Sequence, residues 1–384
     1  VDAGIERTEF NMTDCAHSPD ATGFVPYCKH LEQPGHDEDQ LIKKITDVLH
    51  GNNQWAFKKY RRGIRDAHAK SHGILRGELT IYPDLPEPYR QGLFATSGPY
   101  QVIARLSSTS GALRSDKTRG IRGLGIKVLR APGDRALPDD TATTQDFILV
   151  THREFPFADA RAYLKRGMPL AVLLARLPDS VLILLGLVLG AVRPILECFH
   201  KSLPTTLDLF SHPNTHILGM TFYSSAPLRH GKYVAKLLYA PLSKNVKVLE
   251  PQRVPRGKGK EAFRDMVVDF FRSNSAEYEL RVQLCTDTTT MPIEDATVAW
   301  PEEDSRHIPV AKITFPAQHP DTDARRAFGD DVLSFNSWRG LDAHRPLGSI
   351  NRLKKLVYEA SSDFRHRVNN IARLEPSDVA DLPD

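Results

Sequence analysis

Tyr358 lies in the run Asn351 to Arg365, with Lys354 four residues before it and Arg365 seven after. Positions i−4, i and i+7 share one face of an α-helix, so this spacing predicts a phenol flanked by two cations. Positive neighbours favour the phenolate, lowering a pKa that is ordinarily about 10. An anionic oxygen held in this way can be an axial ligand of haem iron. A tyrosine between helical cations is more commonly an interfacial residue with a solvated hydroxyl, so the rest of the chain has to decide.

A second reactive group stands near the front. In Arg65-Asp66-Ala67-His68-Ala69-Lys70 the imidazole of His68 has an ordinary pKa close to neutrality, which suits a residue that takes and returns a proton. Arg65, Arg105 and Arg365 can each grip a carboxylate through a bidentate fork.

Four segments, in this order, resemble the catalase superfamily. Arg65 to Lys70 resembles the run in which an arginine, two residues and the distal histidine precede Ala-Lys. Arg105-Leu106-Ser107-Ser108-Thr109, with Arg119-Gly120-Ile121-Arg122-Gly123-Leu124-Gly125-Ile126-Lys127 after it, resembles the Arg-Phe-Ser-Thr strand and the Arg-Asp-x-Arg-Gly-Phe-Ala-x-Lys segment. Asp146 to Asp159, which contains Phe155 and Phe157, resembles the wall of the distal pocket. Tyr358 to Asn369, with Arg365-His366-Arg367, resembles the proximal signature. The matches frame residues 65–369.

That resemblance implies haem b, with Tyr358 as iron ligand, Arg365 and Lys354 supporting it, His68 as distal acid/base, Arg65 and Arg105 on the propionates and Phe155 in the pocket wall. Two departures matter. Lys354 stands where catalases usually have arginine, which keeps the charge and loses the fork; Arg352, six residues before Tyr358, is a poorer substitute. The distal asparagine of catalases is missing, since no asparagine lies between Asn53 and Asn214. Its place falls at Val150 or Thr151, with His152 next door; Thr151 is the expected distal hydrogen-bonding partner, because its hydroxyl can donate or accept, although it cannot reproduce an amide.

The missing amide argues against rapid dismutation of hydrogen peroxide. The chain is also short for a monofunctional catalase, and is similar to small catalase-related proteins, which include organic peroxidases and catalase-type allene oxide synthases. The latter typically carry threonine before the distal histidine, where this chain has Ala67. The expected activity is O–O cleavage of an organic, fatty-acid-like hydroperoxide, by peroxidase or peroxygenase turnover or by isomerisation or dehydration of the hydroperoxide. The alternatives are a catalase with an altered distal pocket and a haem- or lipid-binding protein without turnover.

Other site patterns fail. His68 and His72 have zinc-helix spacing but lack the glutamate of a metalloprotease, Gly120-x-x-Gly123-x-Gly125 is not the dinucleotide fingerprint, and no Gly-x-Ser-x-Gly elbow occurs. A net charge of +4 on 384 residues, with basic residues scattered, gives no reason to expect a nucleic-acid partner. Cys15, Cys28, Cys198 and Cys285 have neither metal-site spacing nor scaffold density. A reduced intracellular protein, cytoplasmic or peripherally membrane-associated, is the simpler account, with a bridge from Cys15 to Cys28 left open. The chain opens on Val1, so a removed leader would leave no trace. The resemblance also implies homo-oligomers.

The elements that must position these groups read as an α+β protein, a catalase-like antiparallel β-barrel with flanking helices. Strands are expected at Gly73–Tyr82, Tyr100–Ser107, Gly123–Leu129, Asp146–Thr151, Thr215–Ser224, Tyr233–Tyr239, Glu279–Cys285 and Val310–Phe315, with linkers too short for parallel crossovers throughout. Helices are expected at Glu261–Ser275 and Arg352–Asn370. Residues 1–39 read as a polar arm and 40–384 as the haem domain, with an apolar helical insertion at 164–206 and the proximal loop and helix at 331–384. Inside the insertion, Val181 to Val192 carries no charge, yet is shorter than the roughly 18 apolar residues of a membrane span. It is expected to be a hairpin broken at Pro178, either a core element or an apolar flap through which residues 168–199 touch a membrane and admit a lipid-like substrate.

Overall fold

Alternation along the strands decides which residues can reach the site. In the computed structural model, which describes residues 19–384 apart from Ser97 and Arg256, nine strands form one antiparallel sheet. They are β1 (Lys70–Ile81), β2 (Pro99–Ser108), β3 (Arg122–Val128), β4 (Gln145–Val150), β5 (Phe222–Tyr223), β6 (Leu228–His230), β7 (Tyr233–Pro241), β8 (Ala276–Leu284) and β9 (Ile308–Phe315). β1 lies between β2 and β9, and β5 joins β4 to β7, so eight strands close into a barrel while β6 hairpins onto β7. Closure leaves few unpaired edges.

The barrel interior takes every second residue: Val102, Ala104 and Leu106 of β2, Leu124, Ile126 and Val128 of β3, and Phe147 and Leu149 of β4 belong to one buried apolar cluster. The intervening residues point the other way. Arg105 pairs with Gly125, Gly125 with Ile148 and Gly123 with Val150, so the outer face of three neighbouring strands presents Arg105, Ser107, Gly123, Gly125, Ile148 and Val150 together.

Two helices are packed beside that face. The proximal helix, Ser349–Asn369, starts three residues before its predicted position. The N-terminal helix, Glu38–Tyr60, was not predicted; its Ile42, Ile45 and Leu49 pack with Leu353 and Val357 of the proximal helix. Arg352 fastens the two helices by reaching Glu38, Glu32 and Glu294, at 2.5, 2.7 and 2.8 Å. It is therefore directed away from Tyr358. Replacing Arg352 with alanine strands three carboxylates and is expected to cost about 3 kcal/mol, read by denaturant unfolding.

Other departures from the predicted elements have local causes. The Thr215–Ser224 strand shrinks to two residues because Ile217–Gly219 forms a 3-10 turn ahead of it. The helix expected at Glu261–Ser275 runs only over Ala262–Phe271. The part of the arm from residue 19 to 37 is packed: Val25 donates its N–H to the Cys285 carbonyl at 2.8 Å, and Val25 and Leu31 are buried. Residues 1–18 lie outside the described residues. Cys28 is disulfide-bonded whereas Cys198 and Cys285 are free; Cys15, the other end of the bridge left open above, lies outside the described residues.

The apolar insertion is a helical hairpin, Met168–Arg176 and Asp179–Cys198, broken at Pro178 as predicted. It is not a core element, because much of its outward surface is exposed.

Candidate active site

His68 follows a tight reversal. Its φ is +57°, unusual for a residue with a Cβ, and its N–H donates to the Thr109 carbonyl at 3.2 Å. The ring lies against β3, where only glycine leaves room: a Cβ on Gly123 would stand 2.1 Å from His68 Cε1 and 2.2 Å from Nδ1. Ser107 Oγ is 3.0 Å from His68 Nδ1 and donates to the Gly123 carbonyl at 3.2 Å. A hydroxyl has one proton; if Gly123 receives it, Ser107 must accept from Nδ1–H, which leaves Nε2 unprotonated. Burial, followed by Arg105, Lys354 and Arg65, lowers the His68 pKa to about 3. The neutral imidazole is thus held as a base at physiological pH.

Tyr358, on the proximal helix, borders the same cavity as His68. Its predicted ionisation is not seen in this chain alone: burial raises the phenol's pKa, and Asp66 and Tyr163 raise it further. Neither Lys354 nor Arg365 is among the charges that act on it. Asp66 went unrecognised as an opposing charge, although it sits inside the Arg65–Lys70 run. Its backbone N–H donates to Ser361 Oγ at 3.2 Å on the proximal helix, and burial raises its own carboxyl pKa.

Arg65, Arg105 and Arg365 border one cavity and meet at a partner the sequence did not indicate. Asp330, in the π-helical turn Phe328–Val332, pairs with Arg105 at 2.8 Å and with Arg65 at 3.7 Å. Arg65 also donates to the carbonyls of Asp330, Gly329 and Leu333, and Arg365 to those of Asp330 and Leu333. The Nε atoms of Arg105 and Arg365 are buried without a partner among the described residues. Arg65 is held well below its usual pKa by burial, then Arg105 and Arg365; Arg365 is lowered to about 10 by burial and then Arg105. Asp331, itself paired with Arg62, and Asp66 also act on this group, yet the guanidiniums lower one another's pKa, the mark of crowded positive charge that suits an anionic ligand.

Lys354 borders the cavity and has no carboxylate partner among the described residues. Its ammonium stands 5.9 Å from the centre of the Phe155 ring, and burial lowers its pKa to about 8. Thr151 does not border the cavity. Outward positions on β4 are 146, 148 and 150, and the chain turns Thr151 away, where its Oγ1 accepts the Arg122 N–H at 3.1 Å. Val150 borders the cavity instead, so the amide's place is apolar. Sequence reasoning missed Asn53 and Trp55, which reach the cavity from the N-terminal helix.

Beyond His68 the cavity widens to about 340 Å³, within the usual range for small-molecule sites, and its far wall includes Leu170, Leu174, Leu182, Leu209 and Phe210. An iron-bearing cofactor with carboxylates suits the groups that line this cavity: a phenol oxygen for the metal, an imidazole, and guanidinium groups for the carboxylates.

The fold defines a catalase-like barrel. A fungal catalase aligns over 83% of this chain and 64% of its own, with TM-score 0.54 and 14% identity. Catalase A from Saccharomyces cerevisiae aligns over 83% and 67%, with TM-score 0.56 and 14% identity. A bacterial catalase aligns over 80% and 59%, with TM-score 0.53 and 15% identity. The chain thus spans roughly three fifths to two thirds of the length of these catalases. No protein-family profile and no curated protein sequence matches it.

Proposed function

We propose that this chain is a haem-dependent enzyme that cleaves the O–O bond of organic, fatty-acid-like hydroperoxides. One observation carries the reading: His68 and Tyr358 border a single cavity that continues into a wide apolar space. Tyr358 would hold the iron, and Arg65, Arg105 and Arg365 the propionates, with Asp330 rearranging or sharing its partners. The haem, when bound, supplies the redox centre at which a peroxide bond breaks. His68 Nε2 accepts the hydroperoxide proton and returns it to the leaving oxygen, while Ser107 and the bare backbone of Gly123 fix the ring. The apolar far wall takes an alkyl chain. Val150 offers no hydrogen bond to orient hydrogen peroxide, which favours an organic substrate over dismutation.

The test is an optical haem titration of the full chain and of Tyr358→Phe, followed by addition of a fatty-acid hydroperoxide. Expected are a high-spin ferric spectrum altered or lost in the variant, and consumption of the organic hydroperoxide. Failure to take up haem would refute the reading and leave the barrel intact. Vigorous oxygen release from hydrogen peroxide would favour catalase activity instead. Gly123→Ala, which must displace the His68 ring, is expected to lower hydroperoxide kcat by about ten- to a hundredfold, measured at saturating haem.

A further inference from the structure

The hairpin of Met168–Arg176 and Asp179–Cys198 has two apolar faces with different fates. Its inner face, with Leu170, Leu174 and Leu182, lines the cavity. Its outer face exposes Leu173, Leu184, Leu187, Ile195 and, just beyond the helix, Phe199, with Leu184 62% and Phe199 70% exposed. The second helix has a mean hydropathy of 2.1, long and apolar enough by composition to span a membrane. The fold holds it against the barrel instead. Arg114 donates to the Leu177 carbonyl and to Asp179, at 2.6 and 2.8 Å, and Arg119 packs under Gly186 and Gly190. A helix pinned along one face lies on a surface rather than crossing it.

Charge identifies the surface. Among the described residues of the hairpin and its flanks, the carboxylates Asp179, Glu197 and Asp208 are all ion-paired, with Arg114 or Arg193. Lys165 and Arg166 before the first helix, Arg176 at its end and Lys201 after the second are exposed and make no ion pair among the described residues. An apolar plane flanked by uncompensated cations matches the acyl and headgroup layers of an anionic membrane.

We propose that this hairpin is a membrane-docking surface that seats the protein on anionic lipid. Its inner face then forms the partition between bilayer and cavity, so that an apolar substrate enters from lipid; that last step rests on the function proposed above. The test is co-sedimentation of the full chain with phosphatidylcholine vesicles, with and without phosphatidylserine, for native protein and for Leu184→Glu/Leu187→Glu. Neither leucine borders the cavity, and both are exposed, so the variant should keep the native melting temperature. Expected are binding strengthened by phosphatidylserine and weakened by salt, and a loss of partitioning of about tenfold or more in the variant. Absence of native binding, or equal binding by the variant, would overturn the proposal. So would vesicle-independent self-association that the same substitutions abolish, since the face would then be an interface between copies. Sedimentation needs no turnover, so it fails or succeeds separately from the hydroperoxide chemistry.

Discussion

His68→Ala is expected to lower kcat for a fatty-acid hydroperoxide by about 10²–10⁴, the usual worth of a positioned proton-transfer group, while leaving haem uptake close to native. The separation follows from placement. His68 touches neither the 328–332 turn nor Tyr358 through a hydrogen bond; its ring is held by Ser107 and by contact with Gly123. With burial and three cations keeping its pKa at about 3, His68 stays a neutral base as pH falls through the usual histidine range. The acid limb of the native pH–rate profile should therefore lie well below 6.5. Single-turnover kinetics and haem titration on the same preparation check both halves. An unchanged kcat in the variant would remove His68 from the proton-transfer role, and loss of haem uptake would make its role structural.

The arginines and His68 were legible because their spacing is local or follows strand parity. Arg105, Ser107, Gly123 and Gly125 occupy alternate positions on neighbouring strands, so a correct register brings them together without further information. The same parity rule separates Val150 from Thr151, but a sequence reading of β4 that ended one residue late left both open. Asp330 could not be read, since its role depends on a turn more than two hundred residues from Arg105 returning to the same point. Nor could the opposition of Asp66 to a tyrosinate, because the helical spacing of Lys354 and Arg365 describes one helix and omits what packs against it. The N-terminal helix escaped notice because only a few apolar residues mark its buried stripe among many polar ones, and the surface that accepts them belongs to the distant proximal helix. The apolar insertion was legible as a hairpin from Pro178 alone, while its exposure depended on how the barrel holds it.

The largest stability effect should appear below neutral pH and should come from histidines outside the site. His216 and His230 are buried and have pKa values lowered to about 4, both by burial first. His72 and His344 are fully buried and also lie well below the usual histidine range, again by burial, with His344 5.5 Å from His230 in ring-centre distance. The unfolded chain binds a proton at each near pH 6.5, and the folded chain does not until the pH approaches the lowered value. The unfolded state therefore holds more protons throughout that window, and stability falls as pH falls. Between pH 6.5 and 5, His216 and His230 alone are each expected to remove about 2 kcal/mol. The raised carboxyls of Asp66 and Asp116 act in the opposite direction, because they take up protons more readily when folded. The histidines act over a window that lies above the ordinary carboxylate range, so His216 and His230 set the sign of the slope there. Urea unfolding at intervals from pH 7.5 to 5 reads the slope. His230→Gln, which keeps a polar side chain beside the Tyr89 carbonyl and removes the titration, should flatten it by that residue's share; an unchanged slope would mean that His230 binds its proton equally in the folded and unfolded chains.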